Sequence, residues 1–212
     1  NSGVEESIAR YDQRVAEGLR PIKFVPASGA ASRMFKELFE AFKVCLQSDN
    51  QDEALAGNPS ARRFLVNKEK FAFFDELISS VESHNVTRSC LNWIDFLLNK
   101  KGLNYGYLPK GLLKFHKYPD GSRTPFEEHL IESAGYSTDN RKTARLHFTV
   151  SPDHLSLFND HFNNVKLKYE LKTRVTFEVS FSLQKPHTDI IAVGLNNEPF
   201  RNEDGSLLFR PG

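Results

Sequence analysis

This chain of 212 residues is short of cysteine, of charge imbalance and of long apolar runs. Its two cysteines, Cys45 and Cys90, form no CxxC pair and lie in apolar helical contexts. That excludes a disulfide framework and a Cys-based zinc site, and it fits buried free thiols in a reducing cytoplasm. A formal net charge of +1 argues against a surface that coats nucleic acid. No run of like charges marks a tail or a membrane-binding helix. No apolar stretch approaches the length needed to span a bilayer. The N-terminal segment reads as a polar helix rather than a signal peptide. Internal repeats and low-complexity tracts are also absent. So are the dinucleotide GxGxxG pattern, the GK[ST] of a P-loop and the HExxH of a metalloprotease.

What is present is enough apolar material for one α/β domain with a small insertion. Hydrophobic residues make up 39% and aromatics 12%, with 18 Phe. Residues 4–18 read as a helix closed by Gly18. Ile22 to Val25 reads as a short buried strand. From Ser32 onward, Phe35, Leu38, Phe39, Phe42 and Leu46 keep helical spacing. Gln47 to Pro59 is polar and reads as a loop. Phe71, Phe74, Leu77, Ile78 and Val81 mark one helix, and Leu91, Ile94 and Leu98 another, with Gly102 as its stop. Thr124-Pro125-Phe126-Glu127 is a capping box with proline at the first helical position, and Gly135 ends that helix. Leu146, Phe148 and Val150 alternate as a strand. Ser151-Pro152 opens a helix carrying Leu155, Phe158 and Phe162. Val175 to Leu183 alternates with Thr176, Glu178, Ser180 and Ser182 as a half-buried strand. Ile190 to Val193 and Leu207 to Phe209 are further strand candidates. Alternating strands and helices predict a mainly parallel sheet covered by helices. The expected organisation is an α/β domain of residues 1–36 and 110–212, interrupted by a helical insertion, 37–109. The Pro-Gly ending after Leu207 to Phe209 predicts a fragment of a longer chain.

Two segments carry chemistry. In Ile22 to Lys36 a strand runs into the small residues Ala27, Ser28, Gly29, Ala30, Ala31 and Ser32, and Arg33 then opens a helix. Such a turn lets backbone N–H groups approach a phosphate or a base. An arginine in the first helical turn opposes the helix dipole, and an anionic partner removes that penalty. The plain alternative is an ordinary strand-to-helix turn. Pro109-Lys110-Gly111 offers a second cation ahead of an apolar run, either solvated at a strand's start or converging with Arg33 on one triphosphate. His84, His116, His129, His147, His154, His161 and His187 form no metal pattern. His187 and Asp189 follow a strand end, where α/β sheets place ligands. Turn chemistry accounts for Asp120 and Asp204, each ahead of a glycine.

The order of these motifs resembles the sugar nucleotidyltransferases (nucleotide-sugar pyrophosphorylases), and within them the UDP-N-acetylhexosamine and UDP-glucose branch. That family opens with leucine-alanine-glycine-glycine-x-glycine-threonine-arginine. Ala27, Gly29 and Arg33 match it, and Ser32 stands for the threonine. Pro26, Ser28 and Ala31 replace the leucine and two glycines. Pro109, Lys110 and Gly111 match the family's Pro-Lys-Gly segment, and Ser122 to Ser133 resembles the helix after it. Phe148 to Ser151 resembles the branch's Met-Thr-Ser segment, and Phe181 to Gln184 its Phe-x-Gln strand. Leu207 to Gly212 resembles the approach to its glycine-rich loop. The chain is also similar to an uncharacterised bacterial domain family related to these enzymes.

The resemblance implies a GT-A-like, Rossmann-like α/β fold. It implies transfer of a nucleotidyl group from an NTP, with UTP expected, to a sugar-1-phosphate with release of pyrophosphate. By it, Ala27 to Ser32 and Gln184 hold the nucleotide, Arg33 and Lys110 act as the catalytic cations, and Mg²⁺ assists from unassigned ligands. The implied partners are a nucleotide and a sugar phosphate, with no nucleic acid and no membrane. The glycine replacements leave open a non-catalytic nucleotide- or sugar-binding module on the same fold. The Phe-rich helices of 37–109 also allow a helical interaction module.

Overall fold

A computed structural model describes residues 2–210. The chain starts with α1 (Ser2–Ala16), β1 (Ile22–Pro26), α2 (Lys36–Leu46), α3 (Gln51–Ala56), α4 (Pro59–Asn67), α5 (Phe74–Ser83) and α6 (Cys90–Leu98). It continues with β2 (His116–Tyr118), β3 (Gly121–Arg123), α7 (Pro125–Tyr136) and β4 (Thr143–Val150). It closes with α8 (Leu155–Thr173), β5 (Thr176–Leu183), β6 (Ile190–Ile191) and β7 (Phe209–Arg210). The expectation drawn from Pro211 and Gly212 falls outside the described residues. Two compact units form: one from the residues up to Gly29 together with those from Glu132 onward, the other from Ala30–Ile131.

The first unit is mixed α/β. Its parallel three-stranded sheet, ordered β1-β4-β5, is flanked by helices. Register follows side-chain alternation, because a one-residue slip would turn every buried group outward. Ala144, Leu146, Phe148 and Val150 of β4 are buried on one face, beside Val25 of β1 and Phe177 of β5. Phe158 and Tyr169 of α8 are fully buried, and Phe158 and Phe148 each lie against Phe181, at 6.3 and 6.0 Å between ring centroids. The other face carries three rows across the strands: Ile22–Arg145–Glu178, Phe24–His147–Ser180 and Pro26–Thr149–Ser182. The expectation of a buried β1 is corrected here. Ile22 is 59% and Phe24 62% exposed, because β1 is an edge strand with this face open. Beyond β5, the segments around Ile190 and Phe209 form the short antiparallel pair β6–β7, extended by single bridges at Val193–Pro199 and Arg201–Leu207.

The second unit is helical around one core, in which Leu77, Ile94, Phe96, Leu97 and Leu98 are almost wholly buried. Cys45 belongs to that core, and Cys90 is half-buried and likewise free of any disulfide. Several sequence expectations shift. The helix expected from Ser32 begins at Lys36, because Ala31 and Phe35 are buried and fix a turn closed by Met34 N–H on the Ala31 carbonyl (2.8 Å). Arg33 therefore sits in that turn, outside any helical first turn, and the dipole argument does not reach it. The polar stretch 47–59 contains α3, capped by Asn50, whose side chain accepts from Glu53 N–H. Phe71 precedes α5 rather than belonging to it, and α7 runs one residue past Gly135. Lys110 opens a single 3-10 turn, not a strand.

Other local readings stand. Thr124 N–H donates to Glu127 Oε2 (2.7 Å) while Glu127 N–H donates to Thr124 Oγ1 (3.2 Å), the reciprocal capping box. Tyr118 and Gly121 close the β2–β3 hairpin around Pro119-Asp120, and Gly121 takes φ +120°, which disfavours a side chain.

Candidate functional site

Three parallel strands carry the motif residues of the α/β unit to one end of the sheet. Ala27 follows β1 and donates its N–H to Thr149 O (2.7 Å). Ser151 follows β4. Gln184 follows β5 and donates its N–H to Val150 O (2.9 Å), while its side chain reaches Asp189 Oδ1 (3.4 Å). In open α/β sheets this carboxyl end is where ligands bind. The N–H groups of Ser28 and Gly29 have no acceptor among the described residues. Successive unclaimed N–H groups make an anion-binding concavity. Gly29 has no positive φ, and a Cβ built on it would meet nothing within 4 Å. The fold itself does not require that glycine.

Behind Ser151 the chain makes one 3-10 turn, Pro152–His154, and enters α8. Nδ1 of His154 is buried without a hydrogen-bond partner among the described residues. Such orphaned groups mark strain, water or a missing ligand. His187 is exposed, in the turn ahead of Asp189.

The open sheet face adds a polar row to which sequence reasoning gave no role. His147 lies between two hydroxyls, with Nδ1 2.8 Å from Ser180 Oγ and Nε2 2.9 Å from Ser182 Oγ. Ser182 Oγ is 3.0 Å from Thr149 Oγ1, and Phe24 stacks on the imidazole at 5.4 Å and 14°. A neutral imidazole donates to one serine and accepts from the other. The row can therefore hydrogen-bond a hydroxyl-bearing ligand. It lacks the carboxylate that orients the histidine of a nucleophilic triad. The signal that could have found it was the Thr176, Glu178, Ser180, Ser182 alternation, once paired in register with β4.

In this unit the loop into β4 holds a buried, strongly hydrogen-bonded carboxylate. Asp139 is buried, which raises its pKa, but Arg145 Nη1 (2.7 Å) and the N–H groups of Thr143 and Arg141 (2.9 Å each) outweigh burial and lower it. Arg145 also pairs with Glu178 (2.8 Å). These bonds organise the loop and pair Asp139, Arg145 and Glu178 with one another.

Arg33 and Lys110 belong to the helical unit. Ala31 N–H donates to Leu108 O (3.1 Å), and Ala30 bridges Pro109, so the segments carrying the two cations adjoin. Both side chains are exposed, without an ion pair among the described residues. Ala31 is fully buried, and its N–H is already used. Among the described residues no three His, Cys, Asp or Glu side chains gather where they could hold a metal ion. No helix among those residues is long and apolar enough to cross a membrane.

A family model described as Domain of unknown function (DUF4301) matches residues 1–212. No curated protein and no solved structure matches the chain.

Proposed function

The chain belongs to that family, and we propose that its α/β unit binds a uridine nucleotide or nucleotide sugar at the carboxyl ends of β1, β4 and β5. The observation that carries this reading is the convergence of Ala27–Gly29, Ser151 and Gln184 at one sheet end, with the Ser28 and Gly29 N–H groups unclaimed. The phosphates take those N–H groups, and the α8 N-terminus behind Ser151 adds positive potential. Gln184 offers an amide to the base or ribose. The reaction class is the resemblance's own: a sugar-1-phosphate oxygen attacks the α-phosphorus and pyrophosphate leaves. Arg33 and Lys110 enter as the neutralising cations by that resemblance, and Mg²⁺ as the phosphate-bound ion it implies.

A second reading keeps binding without turnover. It is favoured by Ala31, whose buried side chain and occupied N–H remove one loop position from any ligand.

Calorimetry of UTP and UDP-sugars against the full chain tests the binding claim. Gly29→Val and Gln184→Ala should each weaken binding by about tenfold, the equivalent of one charge-assisted hydrogen bond. Arg33→Ala and Lys110→Ala should do the same for UTP and less for uridine. Unchanged affinity across all four variants removes the site. Pyrophosphorolysis of UDP-sugars then separates the two readings: turnover lost on Arg33→Ala supports the transferase, and binding with no turnover supports the non-catalytic module.

A further inference from the structure

The helical unit holds a cavity of about 420 Å³ that no motif foreshadowed. Small-molecule pockets run from about 300 to 1,000 Å³. Leu97, Tyr105 and Leu113 line it, each at most 4% exposed. Phe64, Phe71 and Phe73 supply aromatic walls. Phe71 stacks on Phe73 at 5.1 Å and 11°, Phe64 lies 5.8 Å from Phe71, and Tyr105 meets Phe73 edge-on at 5.1 Å.

The polar lining is unbalanced in charge. Arg63, Lys70 and Lys114 stand against the single carboxylate of Glu37. Lys114 is neutralised by Glu76, and Glu37 accepts the Ser60 hydroxyl. Arg63 and Lys70 have no carboxylate within ion-pair reach among the described residues; the Lys70 amine donates to Asn67 Oδ1 (2.9 Å). The buried Tyr105 hydroxyl accepts from Lys114 N–H (3.2 Å), and its own proton has no acceptor among those residues. Burial raises the phenol's pKa, so that proton stays in place as a donor. An aromatic-walled hollow with two uncompensated cations and a spare hydroxyl donor is complementary to one kind of molecule.

We propose that this cavity is a binding site for a small aromatic anion, its ring against Phe64, Phe71 and Phe73 and its carboxylate or phosphate held by Arg63 and Lys70. The inference stands apart from the nucleotide reading, since every lining residue belongs to the helical unit. Aromatic walls favour an arene over a flexible acyl chain, which loses more rotational freedom on binding.

The experiment is calorimetric titration of the full chain with 2-naphthoate, 2-naphthylmethanol and octanoate. Naphthoate should bind at least tenfold more tightly than the neutral alcohol and more tightly than octanoate. Arg63→Gln and Lys70→Gln change exposed side chains, so folding should survive. Each should weaken naphthoate by about tenfold while leaving the alcohol within about twofold, and Arg63→Lys should recover most of the loss. Phe71→Ala should weaken both aromatic probes. Gln184→Ala should leave all three probes unaffected, so that this inference and the nucleotide reading fail separately. Equal affinity for naphthoate and its alcohol overturns the proposal, as do indifference to both glutamine variants, preference for octanoate, or no binding at millimolar concentration.

Discussion

The two units use glycine in opposite ways. In the helical unit, the chain after α6 folds back along the helix end: Leu103, Tyr105 and Gly106 donate N–H groups to the carbonyls of Phe96, Leu97 and Leu98 at 2.7–3.1 Å. Gly102 sits inside that return, where a Cβ would lie 2.0 Å from Phe96 O. In the α/β unit, Gly29 follows a strand with open space where its side chain would be. One glycine is fixed by packing. The other is left to whatever approaches it. The same contrast runs through the side chains: the helical unit buries its aromatics around one core, while the sheet keeps a hydroxyl and imidazole row open. A residue type alone therefore does not say whether a position serves fold or ligand; its neighbours do.

The largest expected effect tests that contrast at the glycines. Gly102→Ala places its methyl group against main-chain atoms, which cannot rotate away, and should cost about 3 kcal/mol. At about 2–4 °C per kcal/mol for a chain of this size, the melting temperature should fall by roughly 10 °C. Gly29→Ala should stay within about 0.5 kcal/mol of the parent. Thermal unfolding followed by circular dichroism measures both, and similar losses at the two positions would erase the distinction.

How much of this was legible follows from which interactions are local. β4 and β5 show their inward faces as alternation, and the capping box at Thr124 announces α7 in four residues. α3 was missed because the buried Leu55 alone makes no periodicity, although Asn50 and Glu53 form a reciprocal cap. Phe35 misled because an apolar residue at helical spacing also serves as the buried end of a turn. The exposure of β1 depends on its place at the sheet edge, which no strand carries in its own sequence. For the proposed site, motif order pointed to Ala27, Ser151 and Gln184, and the parallel pairing of β1, β4 and β5 sets them at the carboxyl ends of these strands. The aromatic cavity was invisible, because its walls come from segments far apart in sequence, Phe64 and Tyr105 among them, and only tertiary packing brings these together.

The next effect sharpens the comparison with charge, since the α/β unit relies on a buried carboxylate where the helical core relies on apolar contact. Asp139 has a lowered pKa, with hydrogen bonds from Arg145, Thr143 and Arg141 outweighing burial. A depressed carboxylate contributes stability above its unfolded value, near about pH 3.9, and loses it as pH falls through the lower folded value. Parent stability should decline below about pH 4 with a share assignable to this residue. Asp139→Asn should cost about 2 kcal/mol at pH 7, because hydrogen bonds to a charged group are among the stronger ones, and should flatten the acid limb. Urea unfolding at several pH values reads both. An acid limb as steep in the variant as in the parent would deny Asp139 that part.

The smallest effect concerns α7, in which the boundary between the units falls. Its N-terminus is satisfied by Thr124 and Glu127, while Phe126 and Leu130 are buried on its inner side. Thr124→Ala removes the hydroxyl that accepts Glu127 N–H and should cost about 1 kcal/mol, the usual worth of an N-cap. Glu127→Gln keeps an oxygen for Thr124 N–H and should cost less. Amide hydrogen exchange across Pro125–Tyr136 separates cap from packing: loss of the cap should speed exchange in the first turn and leave Leu130 and the residues after it slow. Acceleration along the whole helix would mean that the box, rather than the buried Phe126 and Leu130, holds α7 in place.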